Sequence, residues 1–186
     1  MTRTVSSTPE VPETPEVVDK DWLNLQHQRW RDHAADAWRR AGLRAGQRVL
    51  DLGCGPGAAA LELAAAVGPA GQVTAVDHAA SSLEELRDAA ARAGLTNIVL
   101  IQADLDDWSP PANSADLVWM RWLTVFVADP AALVARAAAA VIPGGHLVSH
   151  EYGETSELED WMVTAGLRVV STAAFDELSE VVGVRP

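Results

Sequence analysis

The sequence predicts an α/β protein with a mainly parallel sheet and helices on both faces of that sheet. Short apolar segments alternate along the chain with longer segments of helical periodicity, an order typical of strands joined by helical crossovers. A glycine-rich turn follows the first predicted strand, and ligands bind at that edge of open α/β sheets. The length of 186 residues is enough for one domain with a substantial core.

The N-terminal part of the chain divides into a predicted tail and a predicted helix. Residues 1–18 are rich in Thr, Ser, Pro and Glu and offer little apolar surface to offset the entropy of ordering, so we predict a disordered tail. In residues 19–41 apolar side chains recur every three or four positions, which predicts an amphipathic helix. Its tryptophans Trp22, Trp30 and Trp38 are expected to pack against the sheet. The alternative is that part of this helix covers a ligand.

Seven strands and four further helices are predicted after residue 41. The strands are expected at residues 49–52, 72–76, 97–103, 116–120, 146–150, 167–173 and 180–184, and the helices at 58–67, 81–93, 130–141 and 157–165. Proline is favoured in the first turn of a helix, as at Pro130. The run Pro143-Gly144-Gly145 predicts a turn before the fifth strand. The last two strands are close enough in the chain to pair antiparallel.

The turn after the first strand contains an acid followed by three glycines. Asp51 precedes Gly53, Gly55 and Gly57, which are set two residues apart. Glycines let backbone N–H groups approach a ligand and permit backbone angles that other residues avoid. A carboxylate at this place repels a pyrophosphate and attracts a ligand that carries an ammonium and a sulfonium. The turn therefore predicts a site for S-adenosylmethionine (SAM), within which Cys54 is expected to be a small structural residue.

With this acid-x-Gly-x-Gly-x-Gly motif the chain resembles the class I (Rossmann-like) SAM-dependent methyltransferases. It resembles most the branch of ubiquinone and menaquinone C-methyltransferases and their small-molecule relatives. The resemblance implies a three-layer sandwich with a seven-stranded, mostly parallel sheet whose last strand is antiparallel, and it assigns residues 19–186 to one methyltransferase domain. It also implies SAM as the cofactor and a small molecule as the methyl acceptor.

The resemblance assigns the cofactor contacts to residues at three consecutive strand ends. The glycine turn, including Cys54, is expected to pass beneath the methionine part of SAM, and Asp51 to face its amino group. Asp77 is expected to accept hydrogen bonds from the ribose hydroxyls, and Asp104 from the adenine amino group. The residues next to these two acids, His78 and Leu105, are expected to border the adenine. Any one of the acids alone is equally typical of a turn or a helix cap, whereas the three together favour the cofactor site.

The acceptor side is predicted from residues after the fourth and fifth strands. Arg121 is a candidate to hold a substrate carboxylate or enolate, and a structural ion pair is the alternative. His150 is a candidate general base because its intrinsic pKa is suitable; Glu151 and His27 are alternatives to it. The connection Gly153–Ser156 is shorter than in the resembling family, where a longer insertion covers the substrate. The acceptor site is therefore expected to be shallow, or closed by a partner subunit as in a homodimer, or inactive.

Two other function classes remain open from the sequence. The short connection motivates a non-catalytic SAM- or SAH-binding module that acts through a partner, SAH being the demethylated product S-adenosylhomocysteine. Gly53, Gly55 and Ala58 also fit the G-x-G-x-x-A dinucleotide motif, with Asp77 about twenty residues further on. A nicotinamide oxidoreductase is disfavoured by Asp51 and by the acid after the third strand.

Composition limits the partners and the compartment. The formal net charge is −12 and Lys20 is the only lysine, so nucleic acid is a disfavoured partner. Cys54 is the only cysteine, which favours a reducing compartment. The sequence shows no secretory signal and no apolar run long enough to span a bilayer, and no metal site is predicted. A cytoplasmic location is expected.

Overall fold

A computed structural model of the chain describes residues 20–175 and 178–186, with side chains from residue 25 onward. The tail predicted over residues 1–18 lies outside the described residues, and so does the side chain of Trp22. Among the described helices, none combines the length and the apolar character that a membrane crossing requires.

The described chain alternates between helices and strands as the sequence predicts. The helices are α1 (Lys20–Arg40), α2 (Ala58–Val67), α3 (Ala80–Ala93), α4 (Pro130–Ala140) and α5 (Thr155–Thr164). The strands are β1 (Arg48–Leu52), β2 (Gln72–Asp77), β3 (Ile98–Gln102), β4 (Ala115–Arg121), β5 (Val141–Tyr152), β6 (Arg168–Phe175) and β7 (Leu178–Val184). One turn of 3-10 helix, Thr124–Phe126, lies between β4 and α4.

The seven strands form one sheet in the order β3-β2-β1-β4-β5-β7-β6. Neighbouring strands from β3 to β5 are parallel, and β7 runs antiparallel to both β5 and β6. The predicted fold class, including the antiparallel last strand, is confirmed. The strand order reverses between β1 and β4, and a crevice for a ligand opens at such a point beyond the carboxyl ends of the strands.

Helices cover both faces of the sheet because successive strand residues point to opposite sides. Val49 of β1 packs in a cluster with residues of α1, α2 and α3, whereas the next residue, Leu50, packs in a cluster with residues of α4 and α5. Trp119 of β4 belongs to the first cluster and Met120 to the second. The face under α1 carries Asp51, Arg121 and His150, which are described below.

The prediction of a turn at Pro143-Gly144-Gly145 is wrong, because these residues lie within β5. The register between β4 and β5 shifts here, and the extra residues form a bulge opposite the start of β4. Gly144 N–H donates to the carbonyl of Arg185 (2.8 Å), and Arg185 N–H donates to the carbonyl of Gly145 (3.0 Å). This pairing with the end of the chain keeps the segment in the sheet, and Gly144, with φ 79°, adopts a backbone conformation that glycine tolerates.

Candidate functional site

The glycine turn lies between β1 and α2 and is tied to the end of β2. The N–H groups of Gly53 and Cys54 both donate to the carbonyl of Val76, at 2.9 and 3.0 Å. Gly53, Gly55 and Gly57 have φ values of 67°, 52° and 90°. Such angles are costly for residues with a side chain, so the path of this turn favours glycine at all three positions.

Two of these glycines also allow close packing against neighbouring segments. A Cβ on Gly57 would lie 2.2 Å from Cδ1 of Leu86, a fully buried residue of α3. A Cβ on Gly53 would lie 2.8 Å from Cδ1 of Leu123, which follows β4. The turn is therefore enclosed by α3 on one side and by the segment after β4 on the other.

Asp77, at the end of β2, fixes the turn and the start of α3. Its Oδ2 accepts from Gly55 N–H (2.8 Å) and its Oδ1 from Ala79 N–H (2.9 Å). His78 beside it is exposed, with Nδ1 3.6 Å from Oδ1 of Asp77. Asp77 thus has the turn role typical of strand-end acids. Each oxygen keeps a second lone pair for the ribose contact, which stays a prediction, as does the contact of His78 with adenine.

Asp104 and Leu105 follow β3 at the same edge of the sheet. Asp104 is exposed, and its Oδ1 accepts from Asp106 N–H at 3.0 Å. Leu105 is buried, and its carbonyl accepts from Nη2 of Arg136 at 2.6 Å. Asp104 therefore presents a carboxylate to solvent while Leu105 packs in the core. Their predicted contacts with adenine remain predictions.

Cys54 lies inside the turn with its thiol in a protein environment. The residue is buried, and its Sγ lies 3.5 Å from the carbonyl oxygen of Gly55. Burial, together with the negative charges of Asp51 and Asp77, raises the pKa of this thiol. It stays protonated at neutral pH, which supports the predicted structural role.

Asp51 is a buried acid with an unused hydrogen-bonding atom. Only 2% of the residue is exposed, and its Oδ2 has no hydrogen-bond partner. Burial raises the pKa of Asp51 to about 7; the charge of Arg121 opposes this effect, and that of Asp77 adds to it. A buried carboxylate oxygen without a partner is costly, and a bound cation would remove that cost.

Arg121, at the end of β4, brings a positive charge to the same face. Its Nη2 donates to Nδ1 of His27 in α1 (2.9 Å), and its Nη1 is buried without a partner. The guanidinium carbon lies 4.4 Å from the ring centroid of Trp122, an arrangement typical of cation–π contacts. Burial lowers the pKa of Arg121 to about 10, so the side chain remains charged at neutral pH.

His150 is fully buried beneath α1. Its Nε2 lies 2.8 Å from Oε2 of Glu180 on β7, and its ring packs edge-on against Trp119 with centroids 4.8 Å apart. Glu180 also forms an ion pair with Arg40 of α1. Burial lowers the pKa of His150. These contacts favour a packing role. The imidazole of His150 is fully buried and exposes no surface to an acceptor, and its role as a base remains a prediction.

Glu151 points to the opposite face and anchors the segment after β4. Its Oε2 accepts from the N–H groups of Leu123 (2.8 Å) and Thr124 (3.1 Å) and from the Thr124 hydroxyl (3.0 Å). Burial raises the pKa of Glu151 to about 7 against the effect of these hydrogen bonds. Just before the anchored residues, Trp122 has a φ of 54°, a strained value for a bulky residue. Sequence patterns did not reveal this anchor, because the partners are 27 and 28 residues apart.

Comparisons with known proteins agree with this geometry. A methyltransferase-domain family matches residues 49–145. Aklanonic acid methyltransferase from Streptomyces sp. is 39% identical over 102 residues, covering 55% of this chain and 46% of the relative. Demethylmenaquinone methyltransferase from Geobacillus kaustophilus is 32% identical over 126 residues, covering 68% of this chain and 53% of the relative. A SAM-dependent methyltransferase from Aquifex aeolicus has a similar fold (TM-score 0.78, 18% identity), covering 91% of this chain and all of that one.

The chain belongs to the methyltransferase-domain family, and it is a class I, Rossmann-like SAM-dependent methyltransferase domain. The cofactor of this class is SAM, and the dinucleotide alternative is not supported. The chain spans about half the length of the curated relatives it matches. The residues present fit the cofactor, since the three glycines of the turn have positive φ values and the unpartnered Oδ2 of Asp51 suits an ammonium group.

Proposed function

We propose that this protein transfers the methyl group of SAM to a small-molecule acceptor. The observation that carries the proposal is the buried, unpartnered Oδ2 of Asp51 beside a turn whose three glycines have positive φ values. The named relatives that are methyltransferases of aklanonic acid and demethylmenaquinone support a small acceptor. The net charge of −12 supports it as well, because the polyanionic backbone of a nucleic acid suits such a protein poorly.

The residues of this chain would bind, orient and shield the reactants. SAM supplies an already activated methyl group on a sulfonium. Asp51 would hold the amino group, and the turn from Gly53 to Gly57 would lie along the methionine part. Asp77, Asp104, His78 and Leu105 would hold or border the adenosine. Alignment of an acceptor with a bound methyl donor supplies about 7–11 kcal/mol of the barrier reduction, so no nucleophile of the protein is needed.

A general base is needed only for an acceptor that must lose a proton, and it would add about 10²–10⁴-fold to the rate. His27 is a candidate that contacts Arg121, on the same face as Asp51. His150 and Glu151 are candidates whose hydrogen bonds already serve the packing of β7 and of the segment after β4.

A second function is favoured by one observation, the short link between β5 and α5. Only Gly153 and Glu154 separate the two elements. So short a link leaves no insertion to cover an acceptor, which would suit a SAM- or SAH-binding module that acts through a partner. In this case SAM would bind and no acceptor would be methylated by the isolated protein.

Two experiments test the proposed function. Calorimetric titration of the purified protein with SAH and with NADH should give binding to SAH alone. Incubation with methyl-labelled SAM and a fractionated metabolite extract should transfer label to a small molecule. Tight binding of SAH without transfer to any fraction would favour the binding module. A protein that ignores SAM and SAH at millimolar concentration would refute both.

A further inference from the structure

Two oppositely charged atoms at the glycine-turn edge are buried and unpartnered. They are Oδ2 of Asp51 and Nη1 of Arg121. Buried polar atoms in folded proteins nearly always have a partner, so two such atoms of opposite charge in one place call for an explanation. Neither atom satisfies the other, because both lack any hydrogen bond.

Both side chains belong to the same face of the sheet. Asp51 of β1 is in register with Trp119 of β4, and Arg121 lies two residues further along β4. Residues two apart on a strand point to the same side, so Arg121 shares the face of Asp51 and Trp119 under α1. Among the charged groups that act on Arg121, the carboxylate of Asp51 has the largest effect.

The orientation of the guanidinium is fixed by its other contacts. Nη2 donates to Nδ1 of His27, and the guanidinium plane lies over Trp122. His27 is itself tied to Glu62 of α2, with Nε2 and Oε1 3.3 Å apart. Arg121 is thus held on two sides, while Nη1 stays free to donate to a ligand.

We propose that Arg121 is the ligand of the cofactor's carboxylate, so that Asp51 and Arg121 together recognise the α-amino-acid end of SAM. This inference rests on the proposed function. An α-amino acid carries an ammonium and a carboxylate on the same carbon, which matches a carboxylate and a guanidinium that lie close together without pairing. Arg121 is the side chain suited to a carboxylate because its planar fork presents fixed donors. His27 is a positioning residue that keeps Nη1 turned to the ligand.

This assignment competes with a role for Arg121 on the acceptor, where it would hold a substrate carboxylate or enolate. The two roles predict different affinities for cofactor analogues measured without an acceptor. A carboxylate ligand of SAM discriminates between cofactor analogues when no acceptor is present. An acceptor ligand does not.

The test is a binding cycle that combines an altered residue with an altered ligand. Calorimetry measures the affinities of the full chain for SAH and for decarboxylated SAH, which keeps the adenosine and the amine and lacks only the carboxylate. The unaltered protein should bind SAH about 10- to 100-fold more tightly, the range supplied by a hydrogen bond between charged groups. In Arg121→Gln this preference should disappear, while the affinity for decarboxylated SAH stays within about twofold.

Two further variants make the result specific. Arg48→Gln removes an arginine whose side chain pairs with Asp116 at the other end of β1, and it should keep the full preference. Arg121→Lys keeps the charge without the fork and should give an intermediate preference. Circular dichroism melts establish that each variant is folded.

Each outcome decides the proposal. An unchanged preference in Arg121→Gln, or an equal loss of affinity for both ligands, overturns the assignment to the carboxylate while the proposed function stands. If Arg121→Gln fails to fold, the unaltered protein still decides, since equal affinities for SAH and decarboxylated SAH overturn the inference. A protein that binds neither ligand refutes the proposed function itself.

Discussion

Arg121 donates from Nη2 to Nδ1 of His27 across 2.9 Å, and this contact fixes the protonation of the histidine. A guanidinium has only donors, so Nδ1 must accept and the imidazole proton lies on Nε2, where it faces Oε1 of Glu62 at 3.3 Å. Burial and the charge of Arg121 both lower the pKa of His27. The histidine is therefore neutral at pH 7, and the lone pair that a base would use is already occupied.

The first prediction concerns His27→Ala. Because the contact of His27 is with Arg121, we expect SAH to bind about 2- to 10-fold more weakly, the contribution of one hydrogen bond. Turnover at saturating SAM should stay nearly unchanged, because saturation compensates for the weaker binding. Calorimetry and an initial-rate assay measure the two effects. The control is His146→Ala, which alters a half-buried histidine of β5 four residues before His150. A fall in turnover of about 10²–10⁴-fold at unchanged SAH affinity would instead make His27 a general base.

The second prediction is a proton released when SAH binds. Burial raises the pKa of Asp51 to about 7, so the carboxyl is partly protonated in the free protein near neutral pH. An ammonium group binds the ionised form, and SAH affinity should therefore rise as the pH increases from about 6 to 8. Calorimetry in two buffers with different ionisation enthalpies counts the protons. Asp51→Asn should bind more weakly with no proton released, and an equal release in this variant would contradict the assignment to Asp51.

The third prediction concerns the pH dependence of stability, and the raised pKa of Asp51 determines its direction. The pKa of Asp51 is raised on folding, so between about pH 4 and pH 7 the folded state holds a proton that the unfolded state has lost. The free energy of unfolding contributed by Asp51 therefore falls as the pH rises through this range. Asp51→Asn should be more stable than the unaltered protein at pH 8 and similar to it at pH 4, as measured by urea unfolding. Asp88→Asn, which alters an exposed carboxyl on α3, is the surface control. A loss of stability at pH 8 in Asp51→Asn would contradict the burial penalty.

The fourth prediction separates a backbone effect from a packing effect at the glycine turn. Gly57 and Gly46 have similar φ values, 90° and 84°, but a Cβ meets Leu86 only at Gly57 and meets nothing within 4 Å at Gly46. Gly46→Ala should cost about 1 kcal/mol of unfolding free energy from backbone strain. Gly57→Ala should cost about 2–4 kcal/mol, because overpacking adds to the strain, and it should also weaken SAH binding. Equal losses in the two variants would show that the contact with Leu86 relaxes.

Much of the fold was predictable because its signals are local. The glycine turn, the strand-end acids and the apolar periodicity each lie within a few residues, and the boundaries of α2 agree with the prediction residue by residue. The Pro143-Gly144-Gly145 segment was not predictable, since its place in β5 depends on hydrogen bonds to Arg185, about forty residues away. In this segment the hydrogen bonds to a distant part of the chain outweigh the local preference for a turn.

The candidate site was predictable in its residue types and only partly in its contacts. Asp77 lies at the expected position, and in addition each of its oxygens accepts from a backbone N–H, one of Gly55 in the turn and one of Ala79 just before α3. The unpartnered state of Asp51 depends on which residues of β4 and α1 surround it, which no spacing in the sequence reveals. The same holds for Arg40 and Glu180, which are 140 residues apart.

That last pair supports the fifth prediction, on the buried network beneath α1. Glu180 is fully buried, accepts from His150 and pairs with Arg40, whose side chain is 37% exposed. Although burial raises the pKa of Glu180, the hydrogen bond from His150 and the charge of Arg40 bring it below its ordinary value. Arg40→Ala leaves the carboxylate with one neutral donor, so unfolding free energy at pH 7 should fall by about 3 kcal/mol, near the lower limit for a broken buried pair.

The pH dependence and two further variants make this prediction specific. A lowered carboxyl pKa gives stability that is present above the ordinary value near 4.5 and is lost as the pH falls below it. The deficit of Arg40→Ala should therefore be largest at neutral pH and shrink in acid. Arg39→Ala removes the neighbouring arginine, which forms an exposed pair with Asp36, and should change stability little. Glu180→Gln combined with Arg40→Ala should recover part of the loss, because no buried charge is left without its partner; a double variant as unstable as the sum of the single ones would contradict the coupling.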